Sequence, residues 1–284
     1  MAVGREAGQD RIDRRILSYY GSEFDESDRL VGRSGQGVLE FERTQQLVCE
    51  RVAAGSRIID IGGGSGVHAA ALAERGDEVM LVDPVPQHVD AAASLGTFTA
   101  RTGDARRLDD SDQSYDAALL LGPLYHLLDE ADRIRALREA VRVVRPGGWV
   151  FAAGISRLVT AAWVTVMEPA IRFATDGTTT VRSPLPDTWR HLLEDGRGGL
   201  TDSGFPGGHF HLAEELADEA SEVGLQQVEV HGLEGPAGHA LDVSRSLDPT
   251  LLDAARVLAD QFGTQPGLRD LSPHLLAIGR TRTS

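Results

Sequence analysis

The sequence predicts an α/β fold built on a parallel β-sheet. Between residues 57 and 157, short runs of apolar residues alternate with stretches in which apolar residues recur every three or four positions. Such alternation of strand and helix patterns is typical of a parallel sheet whose strands are joined by helices. Two further observations agree with it: a glycine-rich segment follows the first strand, and an aspartate ends the second.

The central elements follow one another in a regular order. Apolar runs indicate strands at residues 57–61, 78–82, 116–121 and 149–155. A helix at residues 67–75 separates the first two strands and ends at Gly76, because glycine commonly terminates helices. A second helix, at residues 132–144, places four apolar side chains on one face before Pro146 ends it: Ile134, Leu137, Val141 and Val144.

Two regions depart from this rhythm. Residues 1–56 are predicted to be helical, because Ile12, Ile16 and Tyr20 recur at a spacing of four and a second helical pattern covers residues 40–53. Residues 156–210 show only weak periodicity. Beyond them, a helix is expected at residues 212–223 and a last strand at residues 274–279.

These patterns divide the chain into four parts. We predict a helical N-terminal lid at residues 1–56, a ligand-binding core at residues 57–155, an inserted substrate cap at residues 156–210, and the C-terminal part of the core at residues 211–284. Insertions beside a regular sheet often carry the binding surface. We therefore expect substrate recognition in the lid and the cap.

Composition excludes several classes of protein. The formal net charge of −15 over 284 residues disfavours nucleic acid as a partner, since phosphate binding needs clusters of lysine and arginine. Cys49, as the single cysteine, allows neither an intramolecular disulfide nor a thiolate metal cluster. The first fifteen residues hold seven charged side chains, and no stretch reaches the roughly 18 apolar residues of a membrane span. A cytoplasmic location and no membrane contact are expected.

The segment from Asp60 to Gly66 carries the strongest signal. Its glycines stand at Gly62, Gly63, Gly64 and Gly66, between a strand and a helix. Glycine is required where the backbone takes positive φ or a ligand touches it closely, and the N–H groups at a helix start attract an anion. The nicotinamide pattern G-x-G-x-x-G is not matched, because its last position falls on Val67.

This D-x-G-x-G-x-G segment resembles the nucleotide loop of class I methyltransferases that depend on S-adenosylmethionine (SAM), in particular the bacterial small-molecule type. The resemblance extends over about residues 57–155, where Gly103-Asp104-Ala105, Tyr115–Leu120 and Arg145–Gly148 match further family segments in order. It implies SAM as the cofactor and a Rossmann-like, seven-stranded sheet. The last strand, at residues 274–279, should then run antiparallel beside one at residues 225–230.

The resemblance also implies which residues bind the cofactor. Asp83 is expected to accept both ribose hydroxyls, His88 to pack beside the adenine, and Asp104 to accept from the adenine amine. The complete predicted set is Asp60, Gly62, Gly63, Gly64, Asp83, Pro84, His88, Gly103, Asp104, Ala105, Leu121 and Tyr20, with Arg33 or Arg43 pairing with the SAM carboxylate. Three of these residues have an ordinary alternative role: Asp83 as a helix cap, Asp104 as a turn residue, and Arg43 in a surface ion pair with Glu40.

Three residues are predicted to act in catalysis: His126, His211 and Tyr20. His126 follows the fourth strand, where doubly wound folds place their chemistry, and either accepts a proton or lines the pocket. His209 and His211 stand two apart, so in an extended segment they share one side, from which His211 would reach the substrate. No third ligand stands at a recognisable spacing, so no metal site is predicted. Tyr20 is expected to close over SAM, as aromatic residues of the family's lid do.

The leading hypothesis is therefore a SAM-dependent methyltransferase that acts on a small molecule at oxygen, nitrogen or carbon. Two alternatives are kept open. The late helix at residues 251–262 and the terminal strand also resemble enzymes that methylate modified wobble uridines in tRNA, although the net charge of −15 opposes this. A SAM-binding regulator without an acceptor pocket is the other. The acceptor, the need for a base and a homodimeric state are left open by the sequence.

Overall fold

The structure is a computed structural model that describes residues 9, 12–18, 20, 29–167, 186–198 and 206–283. Its strands are β1 (Arg57–Ile61), β2 (Glu78–Asp83), β3 (Thr99–Thr102), β4 (Tyr115–Leu120), β5 (Val144–Ile155), β6 (Arg197–Gly198), β7 (Gly208–His209), β8 (Gln226–Gly232) and β9 (His274–Arg280). Its helices are α1 (Gly35–Arg51), α2 (Val67–Glu74), α3 (Pro86–Ser94), α4 (Glu130–Val143), α5 (Arg157–Met167), α6 (Pro186–Asp195), α7 (Ala213–Glu222), α8 (Gly238–Ser244) and α9 (Pro249–Phe262). Residues 12–18 are also helical.

Seven of these strands form one sheet in the order β3-β2-β1-β4-β5-β9-β8. Strands β1 to β5 pair in parallel, whereas β9 pairs antiparallel with both β5 and β8. The Rossmann-like, seven-stranded sheet and its antiparallel last strand are thus confirmed. Strands β6 and β7 form a separate two-stranded ribbon.

Alternation along β1 explains how the helices cover both faces of the sheet. Ile59 and Ile61 pack into a core with apolar residues of α4 and α7, whereas Ile58 packs into a second core with residues of α1, α2 and α3. Because successive side chains of a strand point to opposite faces, one short apolar run supplies both cores. The two layers of helices leave the carboxyl ends of the parallel strands open for a site.

Two elements of the central region were not predicted from the sequence. Strand β3 has only four residues at the sheet edge, two exposed and two partly exposed, so it carries no apolar run. Helix α3 begins with Pro86 and buries only His88 and Ala92, which leaves too few apolar positions for a helical period. Strand β5 also starts at Val144, earlier than expected, with an irregular register before Trp149.

The predicted helix at residues 212–223 appears as α7, and Gly224 follows it with a φ of +93°, the conformation that ends many helices. Within the described ranges, no helix is both long and apolar enough to cross a bilayer.

Candidate active site

A cavity of about 300 Å³ opens at the carboxyl ends of β1, β2 and β4. The loops that leave these three strands form most of its wall, together with Arg29 and Leu30 and the helical residues Asp13, Ile16, Leu17 and Tyr20. Ligands of doubly wound sheets bind at this edge, because the loops after adjacent parallel strands converge there. We call it the carboxyl-edge cavity.

The glycine loop after β1 forms the floor of this cavity. Gly62, Gly64 and Gly66 have φ values of +72°, +58° and +88°, which side chains disfavour. At Gly63 the constraint is space, since a Cβ would lie 2.6 Å from Oδ2 of Asp60. The loop therefore brings bare backbone to the cavity and leads into the N-terminus of α2.

Asp60 lies directly beneath this loop and is 1% exposed. Within the described part of the chain, neither of its carboxylate oxygens has a hydrogen-bond partner. Burial, followed by the nearby charge of Asp83, raises its pKa to about 7. A buried carboxyl group without a donor is costly, so the geometry favours a ligand that supplies one.

Asp83, at the end of β2, has both oxygens engaged by backbone. Oδ2 accepts from the N–H of Gly64 at 2.9 Å, and Oδ1 accepts from the N–H of Val85 at 2.9 Å. The Nδ1 atom of His88 lies 3.2 Å from Oδ1. Asp83 thus fixes the glycine loop relative to β2, and its remaining lone pairs face the cavity that it lines.

The loop after β3 also contributes to the cavity wall, through Gly103 and Asp104. A Cβ at Gly103 would lie 2.5 Å from Cγ1 of Val82, so no larger residue fits there. Asp104 accepts from the backbone N–H of Arg106 at 2.8 Å and from its Nη2 at 2.6 Å. Burial raises the pKa of Asp104, but the hydrogen bonds from Arg106 outweigh it and keep the carboxyl group ionised.

His126 and Tyr20 meet at the rim of the cavity. The Tyr20 hydroxyl lies 3.0 Å from Nε2 of His126, and the Tyr20 ring also packs edge-on against His88 at 5.5 Å. Burial lowers the pKa of His126 to about 4, although the Gly207 backbone and the charges of Asp83 and Asp13 act in the opposite direction. The ring is therefore neutral at neutral pH and only weakly basic.

The comparisons with known proteins agree with this arrangement. Residues 58–148, which include every glycine-loop and acidic position described above, match a family model described as a methyltransferase domain. Residues 58–148 thus belong to a methyltransferase domain family, and the fold of the chain is that of the class I SAM-dependent methyltransferases.

Two curated relatives match part of this chain. A methyltransferase of Mycobacterium tuberculosis is 34% identical over 146 residues, which make up 50% of this chain and 58% of the relative. A ubiquinone biosynthesis O-methyltransferase of Methylocella silvestris is 34% identical over 108 residues, or 36% of this chain and 41% of the relative. The matches thus span about half the length of these relatives.

Solved structures share the fold of this chain over more of its length than the curated relatives do. A SAM-dependent methyltransferase from Thermotoga maritima aligns with a TM-score of 0.61 and 18% identity, covering 95% of this chain and 99% of that one. The [4+2]-cyclase SpnF aligns with a TM-score of 0.53 and 17% identity, covering 99% of this chain and 96% of that one. At these identities the likeness shows the fold alone.

Most of the predicted cofactor residues line the carboxyl-edge cavity, together with the catalytic candidates His126 and Tyr20. The cofactor residues found there are Asp60, Gly62, Gly63, Gly64, Asp83, Pro84, His88, Gly103, Asp104, Ala105, Leu121 and Tyr20. The structure thus brings together segments from four separate loops and the N-terminal region.

The two predicted carboxylate-binding arginines do not reach the cavity. Arg43 pairs with Asp260 of α9 at 2.5 Å, not with Glu40, and Arg33 is exposed at the end of its turn. Arg29 lines the cavity instead. Its guanidinium pairs with Glu40 through two hydrogen bonds, of 2.5 and 2.9 Å. Sequence reasoning passed over Arg29, because only the fold shows which arginine of this segment turns inward.

The environment of Arg29 contains two further unpredicted residues. Burial of Glu40 would raise its pKa, but the charges of Arg29 and His274 outweigh this effect and lower it to about 2. His68, at the start of α2, also lines the cavity, and burial lowers its pKa to about 4. This end of the cavity therefore presents one guanidinium and one carboxylate beside a neutral imidazole.

His211 is a correction to the predicted site. It is fully buried, and its Nε2 lies 3.4 Å from Oε2 of Glu219. It pairs by an isolated bridge with Ser156 at the end of β5 and does not line the carboxyl-edge cavity. The rings of His209 and His211 both contact glutamates of α7, Glu215 and Glu219 respectively.

The fold also supplies carboxylates that the spacing of His209 and His211 did not reveal. His209 lies 3.0 Å from Oε1 of Glu215, and Glu219 approaches both rings. These two acids are bound by arginines: Arg157 reaches Glu215 at 2.5 Å and Arg133 reaches Glu219 at 2.6 Å. The two guanidinium charges already balance the two carboxylates, which leaves little driving force for a cation.

Proposed function

We propose that this methyltransferase binds SAM in the carboxyl-edge cavity and transfers the methyl group to a small-molecule acceptor. The observation that carries the proposal is the convergence on one cavity of the bare glycine loop, the Asp83 carboxylate and the Arg29–Glu40 pair. The Asp83 carboxylate suits the ribose hydroxyls of SAM, the Arg29–Glu40 pair suits its amino-acid end, and the bare backbone of the glycine loop lets the nucleoside lie close to it.

The side chains fit this cofactor by their chemistry. Asp83 would accept from the ribose hydroxyls, and Asp104 lies on the wall that would face the adenine. Arg29 would bind the carboxylate of the amino-acid end, since a guanidinium presents paired N–H donors to it. Glu40, or the donor-less Asp60, would receive the ammonium group. When bound, SAM supplies a methyl group on a positively charged sulfur, already activated for displacement.

A small acceptor is favoured by two independent facts. The named relative from Methylocella silvestris is an O-methyltransferase of ubiquinone biosynthesis, which suggests a small hydroxylated molecule here. The net charge of −15 opposes a polyanionic acceptor such as tRNA. We also propose a cytoplasmic location and a homodimeric state.

One fold neighbour shows why the activity itself must be measured. SpnF is named as a [4+2]-cyclase, although it shares this fold. The same fold is therefore compatible with chemistry other than methyl transfer.

Methyl-labelled SAM and a panel of acceptors test the proposal. The panel should contain hydroquinones, catechols, primary amines and total tRNA. We expect label in one class of small molecule, and a loss of transfer in the Asp83→Ala variant. Label in tRNA alone would replace the small-molecule proposal with the tRNA alternative. Saturable SAM binding without any transfer would support a non-catalytic SAM-binding protein instead.

A further inference from the structure

His274 is the first residue of β9 and lies at the same edge of the sheet as the cavity. It pairs across the sheet with Ile155, the last residue of β5. Strand β9 is two places from β4, whose end carries the loop with His126. Nδ1 of His274 lies 3.3 Å from Oε2 of Glu40, which lines the carboxyl-edge cavity. His274 therefore adjoins the end of the cavity that Arg29 and Glu40 form.

One nitrogen of His274 is held by two carboxylates. Nδ1 lies 2.6 Å from Oε1 of Glu234 and 3.3 Å from Oε2 of Glu40, with the Gln36 amide nitrogen at 3.2 Å. An ionised carboxylate only accepts, so Nδ1 carries the proton. Glu234 is itself fixed, because its Oε2 accepts from the Ser272 hydroxyl at 2.6 Å and from the backbone N–H of His274 at 3.0 Å.

The other nitrogen, Nε2, makes no hydrogen bond to the part of the chain that the structure describes. The side chain is 15% exposed, although Glu234 is completely buried. In the neutral ring, Nδ1 carries the hydrogen and Nε2 keeps a lone pair. The result is a carboxylate–imidazole pair with its basic atom available, an arrangement that orients a proton acceptor.

Base strength separates His274 from His126. Burial disfavours the charged form of His274, but the charges of Glu40 and Glu234 outweigh both burial and the opposing charge of Arg29, so its pKa is raised. The pKa of His126 is about 4, and its Nε2 faces the Tyr20 hydroxyl. A general base works best when its pKa is near the working pH, which favours His274.

We propose that His274, oriented by Glu234 and Glu40, is the general base that removes the hydroxyl proton of the methyl acceptor. This inference rests on the proposed methyl transfer and narrows the acceptor to a molecule with an ionisable O–H group. Nε2 takes the proton while the acceptor oxygen forms a bond to the methyl carbon. The bond from that carbon to sulfur breaks, and its electron pair stays on sulfur. The imidazolium is stabilised by Glu234 and Glu40 until it releases the proton to water.

The first test needs no acceptor. Nitrogen-15 spectra of the histidine rings report which nitrogen carries the hydrogen, and a pH titration gives the pKa. We expect the His274 ring to be protonated at Nδ1, with a titration midpoint above 6.5 that falls in the Glu234→Gln variant. His209, which pairs with Glu215 and has its pKa lowered to about 4 by burial, provides the control and should keep its titration midpoint in that variant. A hydrogen on Nε2, or a midpoint that ignores Glu234→Gln, would overturn the proposal.

The second test uses the acceptor found in the labelled-methyl panel. His274→Gln should lower kcat by roughly 10²–10⁴-fold and leave SAM affinity nearly unchanged. His191, which is 60% exposed on α6, provides the control, and His191→Gln should have wild-type kcat. The rate limb that falls with decreasing pH should disappear in His274→Gln and persist in His126→Gln. A kcat within threefold of wild type overturns the base assignment. Failure of the wild type to transfer label instead defeats the proposed function, and the ring spectra still decide the state of His274.

Discussion

Histidines at the carboxyl edge show how much of a residue's chemistry comes from its neighbours. The position of His126 after the fourth strand was enough to predict that it lines the site. Its low pKa and its contact with Tyr20, from the N-terminal region, depend on packing between segments 106 residues apart. The sequence indicated His274 only as the start of a strand. The carboxylates that contact its ring, those of Glu234 and Glu40, lie 40 and 234 residues away in sequence.

We expect substitution of His126 to affect binding more than chemistry. His126→Gln and Tyr20→Phe both remove the contact at the cavity rim, so KM should rise severalfold while kcat changes little. Since the pKa of His126 is about 4, the rate profile between pH 6 and 9 should keep its shape. Steady-state kinetics across that range provide the measurement. Loss of the acidic limb in His126→Gln alone would return the role of base to this residue.

Asp83 provides the sharpest cofactor prediction. Asp83→Ala removes the expected bonds to the ribose hydroxyls, each worth about 1.5–3 kcal/mol, so SAM affinity should fall at least about tenfold. It also frees the N–H groups of Gly64 and Val85, which will loosen the loop. Asp90→Asn, an exposed change on neighbouring α3, is the matched control and should bind normally. Equal affinities for Asp83→Ala and the wild type by calorimetry would remove Asp83 from the cofactor site.

The two arginines near the lid make a paired test of the amino-acid end. Arg29→Ala should weaken SAM binding by roughly tenfold or more, because a charge-assisted pair is lost. Arg43→Ala, which breaks only the surface contact with Asp260, should leave it unchanged. Adenosine lacks the amino-acid end, so its affinity should not distinguish Arg29→Ala from the wild type. Equal loss for adenosine and SAM would mean that Arg29 merely supports the fold.

At the scale of elements, a buried ion pair joins α4 to α7 beneath the His126 loop. Arg133 binds Oε1 of Glu219 at 2.8 and 2.6 Å and also donates to the carbonyl groups of Leu127 and Leu128 at 3.1 and 3.0 Å. Both charged side chains are at most 5% exposed. Elements far apart in sequence thus hold the loop on which His126 lies.

Breaking this pair should cost far more than breaking its exposed neighbour. Arg133→Met leaves the Glu219 charge buried with only the His211 ring, at 3.4 Å, beside it, so the free energy of unfolding should fall by about 3–5 kcal/mol. Arg138→Met breaks the Arg138–Glu222 pair between the same two helices, with side chains 62% and 52% exposed, and should cost about 1 kcal/mol or less. Adding Glu219→Gln to Arg133→Met should recover part of the loss. Similar costs for both arginines in urea unfolding would contradict this account.

The same scale shows what the sequence could predict of the fold. Strands β1, β2, β4 and β9 are apolar runs buried along most of their length, and their bounds were predicted to within one or two residues. Strand β3 and helix α3 were missed, because their stability comes from packing at the sheet edge and not from a periodic face. Local pattern determined the core, whereas contacts between distant segments determined the cavity rim.

At the scale of the whole molecule, buried neutral histidines predict sensitivity to acid. His68, His126 and His209 have pKa values of about 4 in the folded state, and their ordinary value is 6.5. The unfolded chain therefore binds up to three more protons between pH 6.5 and 4, while Asp60, with a folded pKa of about 7, releases one.

Unfolding in this window thus takes up protons on balance, and stability should decrease as the pH falls. The expected slope is on the order of 2 kcal/mol per pH unit. Urea unfolding at pH 6.5 and 4.5 measures it. His209→Gln, which removes one of the three titrating rings, should flatten the dependence. A chain equally stable or more stable at pH 4.5 would be inconsistent with the burial of these rings.

Calorimetry with competing nucleotides decides whether the carboxyl-edge cavity binds SAM. SAM and S-adenosylhomocysteine should each bind saturably with one molecule per chain, and the second should displace the first. NAD⁺, whose glycine pattern fails at Val67, should give no binding heat. An absence of SAM binding at millimolar concentration, or tighter binding of NAD⁺ than of SAM, would contradict the assignment of this cavity to SAM.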